Sequence, residues 1–210
     1  DWTSGAITKP VTWYTPRTGP KKVIAADVTA TPEDMMGTSH KEIFLLFDDG
    51  TVISNLASIP WYSSMSRVND IVVADYNLDG HPDLVVAEQG VSNRLCIVYG
   101  GPGYPLATGC SVEFPMTPVP TTLAVGDFDG DGWPDIAYPM PATVGTVSTV
   151  KYEVLSQRSD GSLASAGTGT IVDNHSHNAR AMFRVGRAAG APDWFKETDE
   201  FWLATTPTLG

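Results

Sequence analysis

The sequence predicts an all-β protein built from repeated antiparallel sheets, and three observations predict it. A nine-residue acidic segment occurs twice, as Asp75-Tyr-Asn77-Leu-Asp79-Gly80-His81-Pro-Asp83 and as Asp127-Phe-Asp129-Gly-Asp131-Gly132-Trp133-Pro-Asp135. Each copy stands between short runs rich in β-branched and aromatic residues, Ile71-Val-Val-Ala and Leu84-Val-Val-Ala around the first, Leu123-Ala-Val-Gly and Ile136-Ala-Tyr around the second. No segment sustains an apolar period of 3.6 residues, so almost no helix is expected.

Taken in order, Lys21–Asp27 and Lys41–Phe47 read as strands enclosing a polar stretch, with the turn Asp49-Gly50 leading to a third strand over Thr51–Ser54. The first acidic unit follows, then strands over Asn93–Tyr99 and Ser111–Phe114. The second acidic unit is followed by Tyr152–Gln157 and the turn Asp160-Gly161. Ala181–Gly186 and Glu200–Ala204 repeat the strand, loop, strand order around Arg187–Asp193, where basic and small residues replace the carboxylates. Aligning Asp27, Asp75, Asp127 and Arg187 gives spacings of 48, 52 and 60, the range of four-stranded repeat units. The units are 21–66, 67–118, 119–170 and 171–210 within one region spanning 1–210, with residues 1–20 a candidate strand completing one unit. Phe114–Thr122 and Thr205–Gly210 are rich in Thr and Pro and read as extended connectors.

Oxygen side chains at positions 1, 3, 5 and 9, glycine at 6 and a backbone carbonyl at 7 suit a hard cation that takes six to eight oxygens. The ligands would be Asp75, Asn77, Asp79, Asp83 and the His81 carbonyl, then Asp127, Asp129, Asp131, Asp135 and the Trp133 carbonyl, for two Ca²⁺ ions. Acidic β-turns without a metal are the alternative, but gathering several carboxylates without a cation costs several kcal/mol of repulsion. An EF-hand is excluded by the strand flanks and by Val86 and Tyr138 at position 12, where a bidentate glutamate would stand.

The order apolar strand, D-x-(D/N)-x-D-G-x-x-D-(L/I), apolar strand resembles the FG-GAP or VCBS repeat, over about Asn69–Glu88 and Thr121–Tyr138. The resemblance implies a β-propeller or propeller segment of about four blades, with calcium loops between strands of two of them. It also implies that the ions stiffen their blades rather than touch a ligand. The family most often uses seven blades, so four make either a small closed ring or an arc completed by further blades, another chain or copies of itself.

Composition narrows the function. With 24 acidic against 13 basic side chains and a net charge of −11, the chain is a poor match for nucleic acid. Seven of those acids lie in the two loops, and two calcium ions would bring the formal charge from −11 to −7. No apolar run approaches the roughly 20 residues of a membrane helix, so no membrane insertion is expected. No signal peptide is visible at the start, which reads as a mature or trimmed segment. Cys96 and Cys110 fall in consecutive strands, as a hairpin disulfide or as two buried thiols. Asn174-His-Ser176 fits an N-glycosylation sequon; with a disulfide it points to an extracellular, secreted or cell-surface setting.

Trp133 stands where it could form a stacking platform for a sugar or pack on a neighbouring blade, and Trp2, Trp13, Trp61, Trp194 and Trp202 carry the same two readings. His175 and His177 could share a metal with Asp173, or form an exposed polar strand end. No catalytic motif is present, and the dense carboxylates are accounted for by calcium, so no enzymatic activity is expected. The expected function is recognition or adhesion, with a glycan or protein ligand. The alternatives are a structural subunit of a larger surface assembly or filament, and an accessory propeller of a secreted carbohydrate-active enzyme.

Overall fold

The computed structural model describes residues 21–27, 42–54, 66–91, 93–101, 109–140, 149–172, 177–185 and 200–207. Among these residues there are thirteen strands in four antiparallel sheets and no helix. The first sheet holds β1 (Lys22–Ala26), β2 (Glu42–Leu46) and β3 (Val52–Ser54). The second holds β4 (Arg67–Ala74), β5 (Asp83–Gln89), β6 (Arg94–Val98) and β7 (Val112–Pro115). The third holds β8 (Ala124–Gly126), β9 (Asp135–Pro139), β10 (Thr149–Gln157) and β11 (Leu163–Val172), and β12 (His177–Val185) pairs with β13 (Glu200–Pro207) in the fourth.

Within each sheet the strands follow chain order, because short turns let each strand fold back on its predecessor. At Asp49-Gly50, Gly50 takes φ 81° while the Asp49 carboxylate accepts from Thr51 N at 2.9 Å. A Cβ on Gly50 would also meet Arg67 Cγ at 2.0 Å, so the turn between β2 and β3 needs glycine twice over. Asp160-Gly161 makes a like turn between β10 and β11, with Gly161 at φ 79° and Ser162 N donating to Asp160 Oδ1 at 2.9 Å, but here only the backbone angle favours glycine.

The second sheet is buried on both faces, which explains the unbroken apolar run of β5. Leu84 and Val86 pack toward Ile24, Phe44 and Leu46 of the first sheet. Val85 and Ala87 pack toward Leu123, Ile136 and Tyr138 in the third. The disulfide reading is the observed one: Cys96 of β6 joins Cys110 ahead of β7, with Cα atoms 5.3 Å apart.

The sheets are joined through their first strands. β4 runs beside both β1 and β8, and β12 runs beside β8. Asp70, 5% exposed, gathers three units: its Oδ1 accepts from Lys22 Nζ at 2.8 Å, and its Oδ2 accepts from Thr122 Oγ1 and Leu123 N at 2.9 Å each. Lys22, Asp70 and Thr122 each stand five residues before the aspartate used to align their units, so the repeat spacings of 48 and 52 appear as hydrogen bonds. Lys21 Nζ to Asn69 O and Asn69 Nδ2 to Pro120 O form a second pair of links just before the first. First strands meeting first strands, each sheet stacked on the next, is the arrangement of a β-propeller-like segment.

Two connector readings are corrected. Phe114 and Pro115 complete β7, paired with Leu95 and Arg94; β7 is an edge strand, where a proline without an N–H is tolerated. Thr205–Pro207 extend β13 and pair back to His177, as β-branched threonine suits a strand. The degenerate loops at 28–41 and 187–193 lie outside the described residues, as do Trp2, Trp13, Trp61, Trp194, Asp173, Asn174 and His175.

Candidate metal centres

Both acidic loops connect the first strand of a sheet to the second, Asp75–Asp83 from β4 to β5 and Asp127–Asp135 from β8 to β9. They share one hydrogen-bond scaffold. Asp75 accepts from Asp79 N at 3.0 Å and Gly80 N at 2.9 Å, and Asp127 accepts from Asp131 N at 3.1 Å and Gly132 N at 3.0 Å. Asp79 accepts from His81 N, and Asp131 from Trp133 N. Positions 4 and 6 are left-handed in both loops, with φ 60° and 87° at Leu78 and Gly80 against 79° and 92° at Gly130 and Gly132.

The ninth residue locks each loop. Asp83 Oδ2 accepts from Tyr76 N at 2.7 Å and Asn77 N at 3.2 Å, while Oδ1 takes Gly100 N, just beyond the third strand of its sheet, at 2.7 Å. Asp135 repeats this with Phe128 N at 2.8 Å, Asp129 N at 3.2 Å and Gln157 N, at the end of β10, at 3.2 Å. Both residues are fully buried. Burial pushes the Asp83 and Asp135 carboxyls above the usual range, and the amide donors pull them partly back.

The loops differ in which residues carry their oxygens. Asp127, Asp129 and Asp135 bring carboxylate oxygens within 4.8 Å of one another. Calcium binds oxygen at 2.3–2.6 Å, so ligands on opposite sides of one ion stand about 4.8 Å apart, and this cluster fits a single ion. Asp131 is outside that group of three. In the first loop Asn77 Nδ2 donates to Asp79 Oδ2 at 2.9 Å, so position 3 hydrogen-bonds position 5 where the second loop has two acids. Positions 1, 3 and 9 of the first loop are Asp75, Asn77 and Asp83, so an amide oxygen stands there in place of one of the three carboxylates.

Several contacts were not signalled by the loop pattern. Ser156 of β10 donates to Asp129 Oδ2 at 2.6 Å. Gln157, 2% exposed, ties the loops together: in the amide orientation that satisfies its surroundings it donates to Tyr76 O at 3.1 Å and Pro134 O at 3.0 Å. The His81 ring lies against Gly101, where a Cβ would come within 2.7 Å of it, so this side chain does not simply project into solvent. Trp133 is half-buried beside an open basin lined also by Asp131, Ser156, Arg158 and Ser165. Between the loops runs a groove of about 460 Å³, lined by Asp75, Leu78, Asp127 and Gly132 along β4 and β8.

Meander sheets joined first strand to first strand, with an acidic loop between the first two strands of the second and third, define a repeat protein of the propeller-like class. Residues 75–138, a segment that contains both loops, match the family model described as the FG-GAP-like repeat. No curated protein matches the chain.

Proposed function

We propose that the chain is an extracellular recognition or adhesion module whose second and third sheets are stiffened by calcium. The observation that carries the metal reading is the convergence of Asp127, Asp129 and Asp135 on a scaffold whose amide bonds to the carboxylates at positions 1, 5 and 9 recur in the first loop. When bound, Ca²⁺ would supply the charge neutralisation these acids lack. The residues holding it would be the side chains of Asp127, Asp129, Asp131 and Asp135 with the Trp133 carbonyl, and in the first loop Asp75, Asn77, Asp79 and Asp83 with the His81 carbonyl. The disulfide supports an oxidising compartment, and no helix among the described residues is long and apolar enough to cross a membrane.

The ligand reading favours a glycan. An indole face beside a guanidinium, a carboxylate and hydroxyls in an open basin offers stacking for a sugar ring and hydrogen bonds for its hydroxyls. Calorimetric titration with Ca²⁺ should show two sites, and a glycan array should show binding that Trp133→Ala removes while the melting temperature holds. No heat with calcium would overturn the metal reading. Glycan binding indifferent to Trp133 would move the ligand elsewhere, and binding only to protein ligands would replace the glycan.

A further inference from the structure

The side chain of Gln157 hydrogen-bonds both acidic loops at once. Its amide nitrogen lies 3.1 Å from Tyr76 O, at position 2 of the first loop, and 3.0 Å from Pro134 O, at position 8 of the second. Its backbone N–H donates to Asp135 Oδ1, at the second loop's ninth position. Tyr76 in turn donates its backbone N–H to Asp83 Oδ2, at the ninth position of the first loop. Asp83, Tyr76, Gln157 and Asp135 thus form one hydrogen-bonded path between the loops, and all four are buried. Tyr76 also belongs to the core between the second and third sheets, with Val85, Leu95, Leu123 and Ile136, so the middle of the path is held by packing on both sides. The side-chain link is particular to the third sheet. Leu84 faces Val98 as Ile136 faces Leu155, so Gly100 stands where Gln157 stands. Gly100 N bonds Asp83 as Gln157 N bonds Asp135, but glycine has no side chain to reach back to the preceding unit.

We propose that Gln157 is a positioning residue that couples the two calcium sites, so that filling either loop raises the affinity of the other. The inference rests on the calcium reading of both loops. Asp129 and Asp135, two of the second loop's converging acids, are both held from the end of β10, by Ser156 Oγ and by Gln157 N. With calcium bound there, Asp135 holds Gln157 in place, and Gln157 holds the Tyr76 carbonyl beside the amide that bonds Asp83. The first loop then has part of its ordering already done, and its own ion binds more tightly. By linkage the first loop helps the second by the same factor. Electrostatics works the other way, because neutralising one loop weakens the field at the other, an effect that salt screens. That opposition is limited: three acids in the first loop and four in the second leave each loop net negative around one Ca²⁺, so a filled loop does not repel the second ion.

Calorimetric titration of wild type and two single-loop variants with Ca²⁺ tests the coupling. Asp75→Asn and Asp127→Asn each remove a ligand charge at position 1 while keeping an oxygen for the loop amides, so each leaves one working site. That site should bind about five-fold or more weakly than it does in wild type with the other loop filled, by the same factor in both variants. Gln157→Met keeps the length and apolar bulk of the side chain but cannot donate. In that background the factor should fall to near one, with an unchanged far-ultraviolet dichroism spectrum reporting that the fold survives. Hydrogen exchange reads the link without that variant. In Asp75→Asn, calcium confined to the second loop should slow exchange of the Tyr76 and Asn77 amides more than it slows those of β2 in the first sheet. Sites that bind independently, filling of one that weakens the other, or a factor that persists in folded Gln157→Met would each overturn the proposal and leave the two-site calcium reading standing. First-loop amides that respond to calcium no more than β2 would do the same. No calcium heat from wild type would overturn both.

Discussion

The two acidic loops have the same backbone and different charges, and the difference separates what folds a loop from what binds an ion. Both place left-handed residues at positions 4 and 6, both turn the first carboxylate onto the amides of positions 5 and 6, and both bury the ninth aspartate under three amides. The second carries four carboxylates and brings three of them together, with Ser156 holding Asp129. The first substitutes Asn77, whose amide satisfies Asp79 directly, and places Leu78 in the left-handed region where the second has Gly130. The scaffold is therefore a property of hydrogen bonds, and affinity should follow charge count.

The largest effect should come from the shared feature. Asp83→Ala leaves the amides of Tyr76, Asn77 and Gly100 without their acceptor, and Asp135→Ala does the same to Phe128, Asp129 and Gln157. At a cost on the order of 1–3 kcal/mol for each amide buried without a partner, each variant should lose about 3 kcal/mol in urea unfolding, even with calcium chelated. A loss confined to calcium-containing buffer would show the ninth aspartate to be only a metal ligand. Next come Asp79→Ala and Asp131→Ala, at position 5. Both should lower the melting temperature in calcium, by an amount corresponding to as much as roughly 2.7 kcal/mol when calcium stands 100-fold above Kd, and much less in chelator. Unchanged melting of both in calcium would remove the structural role of the ions.

Much of this was legible because a period of about fifty residues and a nine-residue motif are local patterns. The strands flanking both loops fall where their β-branched runs lie, and the turns sit at Asp-Gly pairs. What escaped is what the repeats do to one another. Asp70 reads as a polar residue in an apolar run, and nothing local says that Lys22 and Thr122, 48 and 52 residues away, will meet it. The amide-binding role of Asp83 and Asp135 was hidden behind an equally good reading as ligands. The connectors failed at Phe114–Pro115 and Thr205–Pro207 because Thr and Pro composition describes edge strands as well as links.

Two smaller changes exchange the loops' differences directly. Asn77→Asp gives the first loop the charge of the second; its calcium affinity should rise on the order of tenfold, about 1.4 kcal/mol, by calorimetry. In chelator the same variant should be less stable than wild type, because Asp79 exchanges a donor for a repelling neighbour. Leu78→Gly isolates the backbone. A non-glycine residue in the left-handed region costs about 1–2 kcal/mol, and glycine returns roughly 0.5–1 kcal/mol through its greater freedom in the unfolded chain. Leu78 is 50% exposed, so little burial is lost with its side chain. The net expectation is stabilisation of up to about 1 kcal/mol with and without calcium, while Gly130→Leu destabilises the second loop by a similar amount. If Leu78→Gly instead weakened the protein, the leucine would owe its place to contacts in the groove between the loops, and the two scaffolds would not be interchangeable.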